Sequence, residues 1–170
     1  ITAMSSSSSS SSSSSEDTNQ PSITLSRVAF GSCSKPWKPQ PLWNAIKKEN
    51  ASVWMWTGDA VYTNDSSMGS LLAAFSMQLA NENYTDFLDS SKVMVIGGID
   101  DHDYGVNDAG KEVSCRSCRI CAYKRFITES NRNSKHPRQR EQDEDEEKEA
   151  KQGGDGRFVR DGLYSSHEFG

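Results

Sequence analysis

No stretch of this chain holds the roughly eighteen consecutive apolar residues that a membrane-spanning helix requires, and that absence argues against a transmembrane segment. An excess of positive charge is also missing. The formal net charge is −5, which gives no reason to expect nucleic-acid binding. Apolar residues are absent over long intervals. Ser5 to Ser15 is an unbroken serine run, with nothing to bury against the entropy of ordering. A second polar stretch runs from about Asn131 to Gly156, basic at first (Arg132, Lys135, Arg138, Arg140) and acidic later (Glu141 to Glu149). Both stretches are expected to be disordered. The chain opens Ile1-Thr2-Ala3-Met4, and the serine run rather than an apolar segment follows Met4. Cysteine is scarce. Cys115, Cys118 and Cys121 form C-x-x-C-x-x-C, but a zinc or iron–sulfur site at that spacing needs a fourth ligand. No partner cysteine lies nearby, so unpaired or loosely paired surface cysteines are expected there.

Three short apolar runs are present: Arg27 to Gly31, Ser52 to Trp56 and Lys92 to Ile96. They are rich in β-branched and aromatic residues and lack clean alternation, as strands buried on both faces do. Between the first two, Pro41 suits a first helical turn, and Leu42 and Ile46 share a face at i, i+4. Between the second and third, Met68, Leu71, Leu72, Phe75 and Leu79 form a stripe at helical spacing, read as core packing. The order strand–helix–strand–helix–strand predicts an α/β layer with parallel strands.

Each apolar run leads through glycine to side chains that can bind a metal. The first ends Gly31-Ser32-Cys33, the second Gly58-Asp59-Ala60-Val61-Tyr62, and the third Gly97-Gly98-Ile99-Asp100-Asp101-His102-Asp103. In parallel α/β sheets the carboxyl ends of the strands share one edge, where ligands bind. Cys33, Asp59 and Asp101 are therefore expected to converge. Taken singly, each has a plainer reading. A lone cysteine is more often a small buried hydrophobe, Gly-Asp after a strand is a common turn, and an acidic loop can simply be solvated. Taken together, a thiolate, carboxylates, a phenol, an amide and an imidazole make a mixed hard and soft donor set. It suits an iron or zinc ion beside a harder one. Such a pair can activate water against a phosphoryl group, with Asp59 placed to bridge the ions. His136 and His167 belong to no constellation.

Phe30-Gly31-Ser32-Cys33, then Gly58-Asp59-x-x-Tyr62, then the long run Asp100 to Glu112, and finally Gly162 to Gly170 resemble the PhoD-like phosphatase family. The resemblance covers about Arg27 to Lys124 and the last dozen residues. It implies a calcineurin-like α/β/β/α metallophosphoesterase sandwich, incomplete here, that hydrolyses phosphate mono- or diesters. It implies metal ligation by Cys33, Asp59, Tyr62 and Asn107, with iron plus calcium as the ions and Asp59 bridging. Asp101 and His102 match positions that shape the pocket and join Asp59 as candidate catalytic residues. Ala60 stands where the family often has asparagine, and Ile99 where it often has tryptophan. The segment after Glu112, normally an amphipathic helix, carries the cysteine trio and then the charged stretch, as an insertion or drift would. The chain then divides into a serine-rich tail (1–22), the N-terminal half of the phosphatase domain (23–130), a charged disordered insertion (131–156) and a terminal strand (157–170). The family's later Gly-Asp-x-His segment does not occur before Gly170, so weak or absent hydrolysis by a truncated chain is expected. The alternative is a non-catalytic remnant or interaction protein that keeps half of the metal site. Asn50-Ala51-Ser52, Asn64-Asp65-Ser66 and Asn83-Tyr84-Thr85 are glycosylation sequons of a kind that a serine-rich chain also acquires by chance. They lean toward a secretory, vacuolar or extracellular location.

Overall fold

A computed structural model describes residues 27–135. The serine-rich tail, the acidic run after Lys135, His136, His167 and the terminal segment 157–170 lie outside the described residues. The elements are β1 (Val28–Gly31), α1 (Leu42–Lys48), β2 (Val53–Thr57), α2 (Met68–Leu79), α3 (Glu82–Ser91), β3 (Met94–Gly98), a 3-10 turn (Asp101–Tyr104) and α4 (Arg116–Ser134). The strands form one parallel sheet in the order β1-β2-β3. The register aligns Gly31 with Trp56 and Thr57 with Gly98. The described chain is thus a mixed α/β layer with a small parallel sheet, as the strand and helix pattern predicts.

The core lies on the face of the sheet that carries Trp54 and Trp56. All four helices contribute to it, through Trp43, Phe75, Tyr84, Phe87 and Phe126 among others. Trp43 is its hub, 4.7 Å from Trp54 and 5.1 Å from a stacked Phe87, ring centre to ring centre. Ring pairs at such spacings add to the stabilisation from burial itself. No helix among the described residues is long and apolar enough to cross a membrane.

The structure corrects several expectations. β1 is not buried on both faces: Ala29 turns toward the core, while on the opposite face Phe30 is 72% exposed and Val28 39%. In α1 it is Trp43 that turns inward, while Leu42 is 69% exposed. Two helices rather than one join β2 to β3. Asn81 ends the first connection and caps α3, its side chain accepting from the Tyr84 N–H at 3.2 Å, as asparagine does at helix starts. Of the cysteine trio, expected to be unpaired or loosely paired, Cys115 and Cys118 are disulfide-bonded and Cys121 is free. The segment after Glu112 forms a helix of 19 residues, Arg116–Ser134. That helix runs past Asn131, where a disordered stretch was expected to begin. Its last turn looks polar because its contacts are polar. Asn131 accepts from the Val95 N–H at 2.7 Å and donates to the Val95 carbonyl at 2.8 Å. It thereby satisfies backbone groups of the edge strand β3 that have no strand neighbour there. Ser130 is buried and accepts from Tyr84 Oη at 3.0 Å.

Candidate functional site

Parallel pairing puts the carboxyl ends of β1, β2 and β3 side by side, and the turns that leave them are laced together. Thr57 Oγ1 donates to the Gly31 carbonyl at 3.2 Å, and the Ser34 N–H donates to the Asp59 carbonyl at 3.0 Å. Gly58, at φ +103, brings the second turn against the third. A Cβ built there would lie 2.5 Å from Asp100 Cβ, so only glycine permits both the conformation and the approach. Cys33 (φ 59) and Asp59 (φ 50) both adopt left-handed backbone, which costs a non-glycine residue about 1 kcal/mol or more. Such geometry persists only where the surroundings over-determine it.

These turns bring most of the predicted donors together. One Asp59 carboxylate oxygen, Oδ2, accepts from the Tyr62 hydroxyl at 2.8 Å and lies 3.8 Å from the Cys33 thiol. The other, Oδ1, is buried with no hydrogen-bond partner. A carboxylate oxygen of Asp59, one of Asp101 and a ring nitrogen of His102 lie within 4.8 Å of one another. The His102 ring sits 4.0 Å from the Tyr62 ring, centre to centre, and Lys35 Nζ lies 5.4 Å from the centre of the Tyr62 ring. Cys33 is exposed and so is not the small buried hydrophobe that a lone cysteine often is. Asn107 stands apart. Its side chain is exposed and donates to Asp108 at 2.5 Å, and the structure gives no contact from it to Cys33, Asp59 or Tyr62. The same loop reaches the site by backbone, the Asp108 N–H donating to Asp101 Oδ2 at 2.5 Å.

The electrostatics follow from these contacts. Burial, with the neighbouring thiol and the Asp59 carboxylate, pushes the Tyr62 phenol well above its usual range, so it is a neutral donor here. Burial works against ionisation of Asp101. The N–H groups of Asp108 and His102 and the nearby imidazole outweigh it and hold the carboxyl below its ordinary value. Two carboxylates this close repel unless a cation or proton lies between them. The buried, unpartnered Asp59 Oδ1 is the kind of orphan that a bound cation satisfies.

Asp103 was part of the acidic run but received no role from sequence. It is fully buried, accepting from the Ala60 N–H at 2.9 Å and from the Asp100 N–H at 3.0 Å. Burial pushes its carboxyl up to about 7, and the Asp59 charge adds to this, against the pull of its N–H donors. It is a strut between the second and third turns. The Asp100-x-x-Asp103 spacing of a capping box was the available signal. Arg119 is a second strut that sequence did not reveal. It is buried and donates to the carbonyls of Ser66 (2.7 Å), Ser114 (2.9 Å) and Tyr104. A groove of ≈ 380 Å³ opens beside Cys33, walled by Phe30, Lys35, Pro41 and Trp43.

Comparison with protein-family models, curated proteins and solved structures finds no match to this chain. The geometry of this edge is therefore what a functional reading rests on.

Proposed function

We propose that this chain carries part of a metal-dependent phosphoester hydrolase site of the PhoD-like kind, set in one half of a calcineurin-like α/β/β/α sandwich. The observation that carries the reading is Asp59: one carboxylate oxygen is shared by Tyr62 and Cys33, and the other is buried without a partner next to Asp101 and His102. Exposed Phe30 and Val28 on the sheet face opposite the tryptophans support the sandwich, since a second β layer would cover them.

The donor set fits a cation. Cys33, Asp59 and Tyr62 would hold an iron-class ion, and Asp59 would extend to a harder, calcium-class ion. Asn107 would complete that second site only after turning away from Asp108. Bound ions of this kind polarise a phosphoryl oxygen and make water a stronger acid. The chain's own residues do the rest. Tyr62 would release its hydroxyl proton on holding the cation, as coordinated groups do. Asp101, held ionised by the Asp108 and His102 N–H groups, keeps the edge anionic. His102, its ring tilted against that of Tyr62, presents a ring nitrogen toward the carboxylates, where it can donate to a phosphate oxygen. The groove beside Cys33 has room for the organic group of a mono- or diester.

The described residues supply too few donors to hold two ions firmly, so turnover by this chain is expected to be weak or absent. The same shortage favours the second reading, an interaction protein that keeps half of the metal site. A secretory, vacuolar or extracellular location gains support from the Cys115–Cys118 bridge, a bond that persists in oxidising compartments. The exposed Asn50 and Asn64 of two sequons support it as well.

The test is to strip the full 170-residue chain with chelator, add ferric iron and calcium, and follow binding by calorimetry and absorption. Hydrolysis of aryl phosphate mono- and diesters is assayed alongside. We expect iron to bind with proton release and with phenolate- or thiolate-to-metal absorption, both lost in Asp59→Ala. A chain that binds no metal, or that binds it equally well as Asp59→Ala, refutes the reading. Metal binding without turnover selects the second reading.

A further inference from the structure

α4 opens on a disulfide. Cys115 is its N-cap and Cys118 lies in its first turn, the two bonded with Cα atoms 5.3 Å apart. One turn further on, Cys121 is a free, exposed thiol. The i, i+3 spacing puts it on the same side of the helix as Cys118. All three cysteines are exposed, so a small thiol can reach them.

The bridge is flanked by residues that grip the edge of the sheet. Arg116, between the bonded cysteines, lies with its guanidinium 5.6 Å over the Tyr104 ring. Arg119, next after Cys118, donates to the carbonyls of Tyr104, Ser66 and Ser114. Tyr104 ends the turn that carries Asp101 and His102. The loop between Gly105 and Cys115 also returns to that turn, through the Asp108 N–H on Asp101 Oδ2. Yet the helix start is poorly made by ordinary means. Its N-cap has no side-chain hydrogen bond and adopts a left-handed φ of 48, a combination that costs stability on both counts. The covalent bond holds what capping does not.

We propose that Cys115, Cys118 and Cys121 form a thiol–disulfide exchange site for low-molecular-weight thiols, whose oxidised state fixes the loop from Gly105 to Cys115 against the Asp101–Tyr104 turn. This stands whether or not the sheet edge holds a metal. A small dithiol reduces the bridge by two exchanges. It is oxidised to its own cyclic disulfide, and its two electrons and two protons leave Cys115 and Cys118 as thiols. Without a reductant, the Cys121 thiolate attacks Cys118 Sγ. The Cys118–Cys121 bond forms, the Cys115–Cys118 bond breaks, and Cys115 leaves as a thiolate that takes up the proton Cys121 released. Either step releases the helix cap.

The full chain purified without reductant, acid-quenched, alkylated and digested with trypsin should yield Glu112–Arg116 joined by a disulfide to Ser117–Arg119. Cys121 should be found alkylated in Ile120–Lys124. Incubation at about pH 8, where thiolate is appreciable, should add a Ser117–Arg119 to Ile120–Lys124 linked species that Cys121→Ser lacks. Amide exchange at Asp108 and Arg119 should speed up by about tenfold on reduction with dithiothreitol, the order expected when a bridge closing so short a loop is lost. The Cys115→Ser, Cys118→Ser double variant should show the faster exchange with or without the dithiol. Free Cys115 and Cys118 in the air-purified chain overturn the proposal. So does exchange at Asp108 and Arg119 that is equal in the two redox states of the unmutated chain, a comparison that needs no variant to fold. Failure of the Cys118–Cys121 species to form overturns the part given to Cys121.

Discussion

The aromatic core and the carboxyl edge of the sheet sit a few residues apart and are built on opposite terms. In the core, Trp43, Trp56, Tyr84, Phe87 and Phe126 are buried against one another, and the polar atom of Trp56 has a partner in Tyr84 at 3.4 Å, though Trp54 Nε1 has none. At the edge, Cys33 and Asp59 hold left-handed backbone, two carboxylates crowd an imidazole, and Asp59 Oδ1 is buried without a partner. Left to itself, the edge would relax into something more comfortable. It is held because its turns leave a sheet whose central strand, β2, has Trp54 and Trp56 locked in the core. Stability generated in one region is consumed in the other, as at sites where strain serves function.

The most direct way to break this arrangement is from below. Trp56 is 1% exposed, with ring centres of Trp43 at 5.6 Å and Phe126 at 6.2 Å. Trp56→Ala should cost about 3–5 kcal/mol, the range for deleting a buried aromatic, read as a shift in urea midpoint. A cost under about 1 kcal/mol would mean that the edge does not depend on the core. The next largest effect is one of pH. Asp103 is raised from an ordinary 3.8 to about 7, so between those values the folded chain keeps a proton that the unfolded chain has released. Its contribution is therefore fully present below about pH 4 and is lost as pH rises to about 7, a fall of a few kcal/mol at about 1.4 kcal/mol per pKa unit. Asp101, held low, acts in the opposite sense, its contribution disappearing as pH falls through its lowered value. Unfolding of the chelator-treated chain across pH should show the Asp103 decline, and Asp103→Asn should flatten it. An unchanged slope in that variant would remove Asp103 from the account.

Much of this was legible in the sequence, and the parts that were not share a cause. The parallel sheet followed from three β-branched and aromatic runs separated by helical spacing, because strand and helix periods are local properties. The gathering of Cys33, Asp59, Asp101 and His102 followed from topology alone, since each follows a strand that points the same way. The Asn107 contact did not follow, because a loop's side-chain directions are set by its own hydrogen bonds, here to Asp108. The buried roles of Arg119, Ser130 and Asn131 were hidden for a related reason. A polar residue satisfied by backbone carbonyls or a strand edge looks in sequence like one satisfied by water. The Cys115–Cys118 bond is not singled out by the spacing, because C-x-x-C-x-x-C suits part of a metal site and a bridge alike and does not say which two thiols pair.

The smallest predicted effect bears most directly on the comparison, because its sign differs between the two regions. Asp59→Asn changes few atoms. Asparagine tolerates the left-handed φ of 50 that Asp59 adopts better than most residues, so the turn should survive. Its amide oxygen can still accept from the Tyr62 hydroxyl, now 2.8 Å from Oδ2. Its NH₂ group replaces the unpartnered Oδ1 and can donate to the Asp101 carboxylate. One of two crowded negative charges is removed, and a buried acceptor without a donor becomes a donor with an acceptor. The metal-free chain should therefore be stabilised by about 1 kcal/mol, the net scale of one hydrogen bond gained. The proposed metal site loses its central charged ligand, so added iron and calcium should stabilise the unmutated chain and leave Asp59→Asn unmoved. Urea midpoints of both proteins, with chelator and with metal, give all four values needed. A variant less stable than the unmutated chain in chelator would show that Asp59 serves the fold rather than a ligand. The orphaned oxygen would then need another explanation.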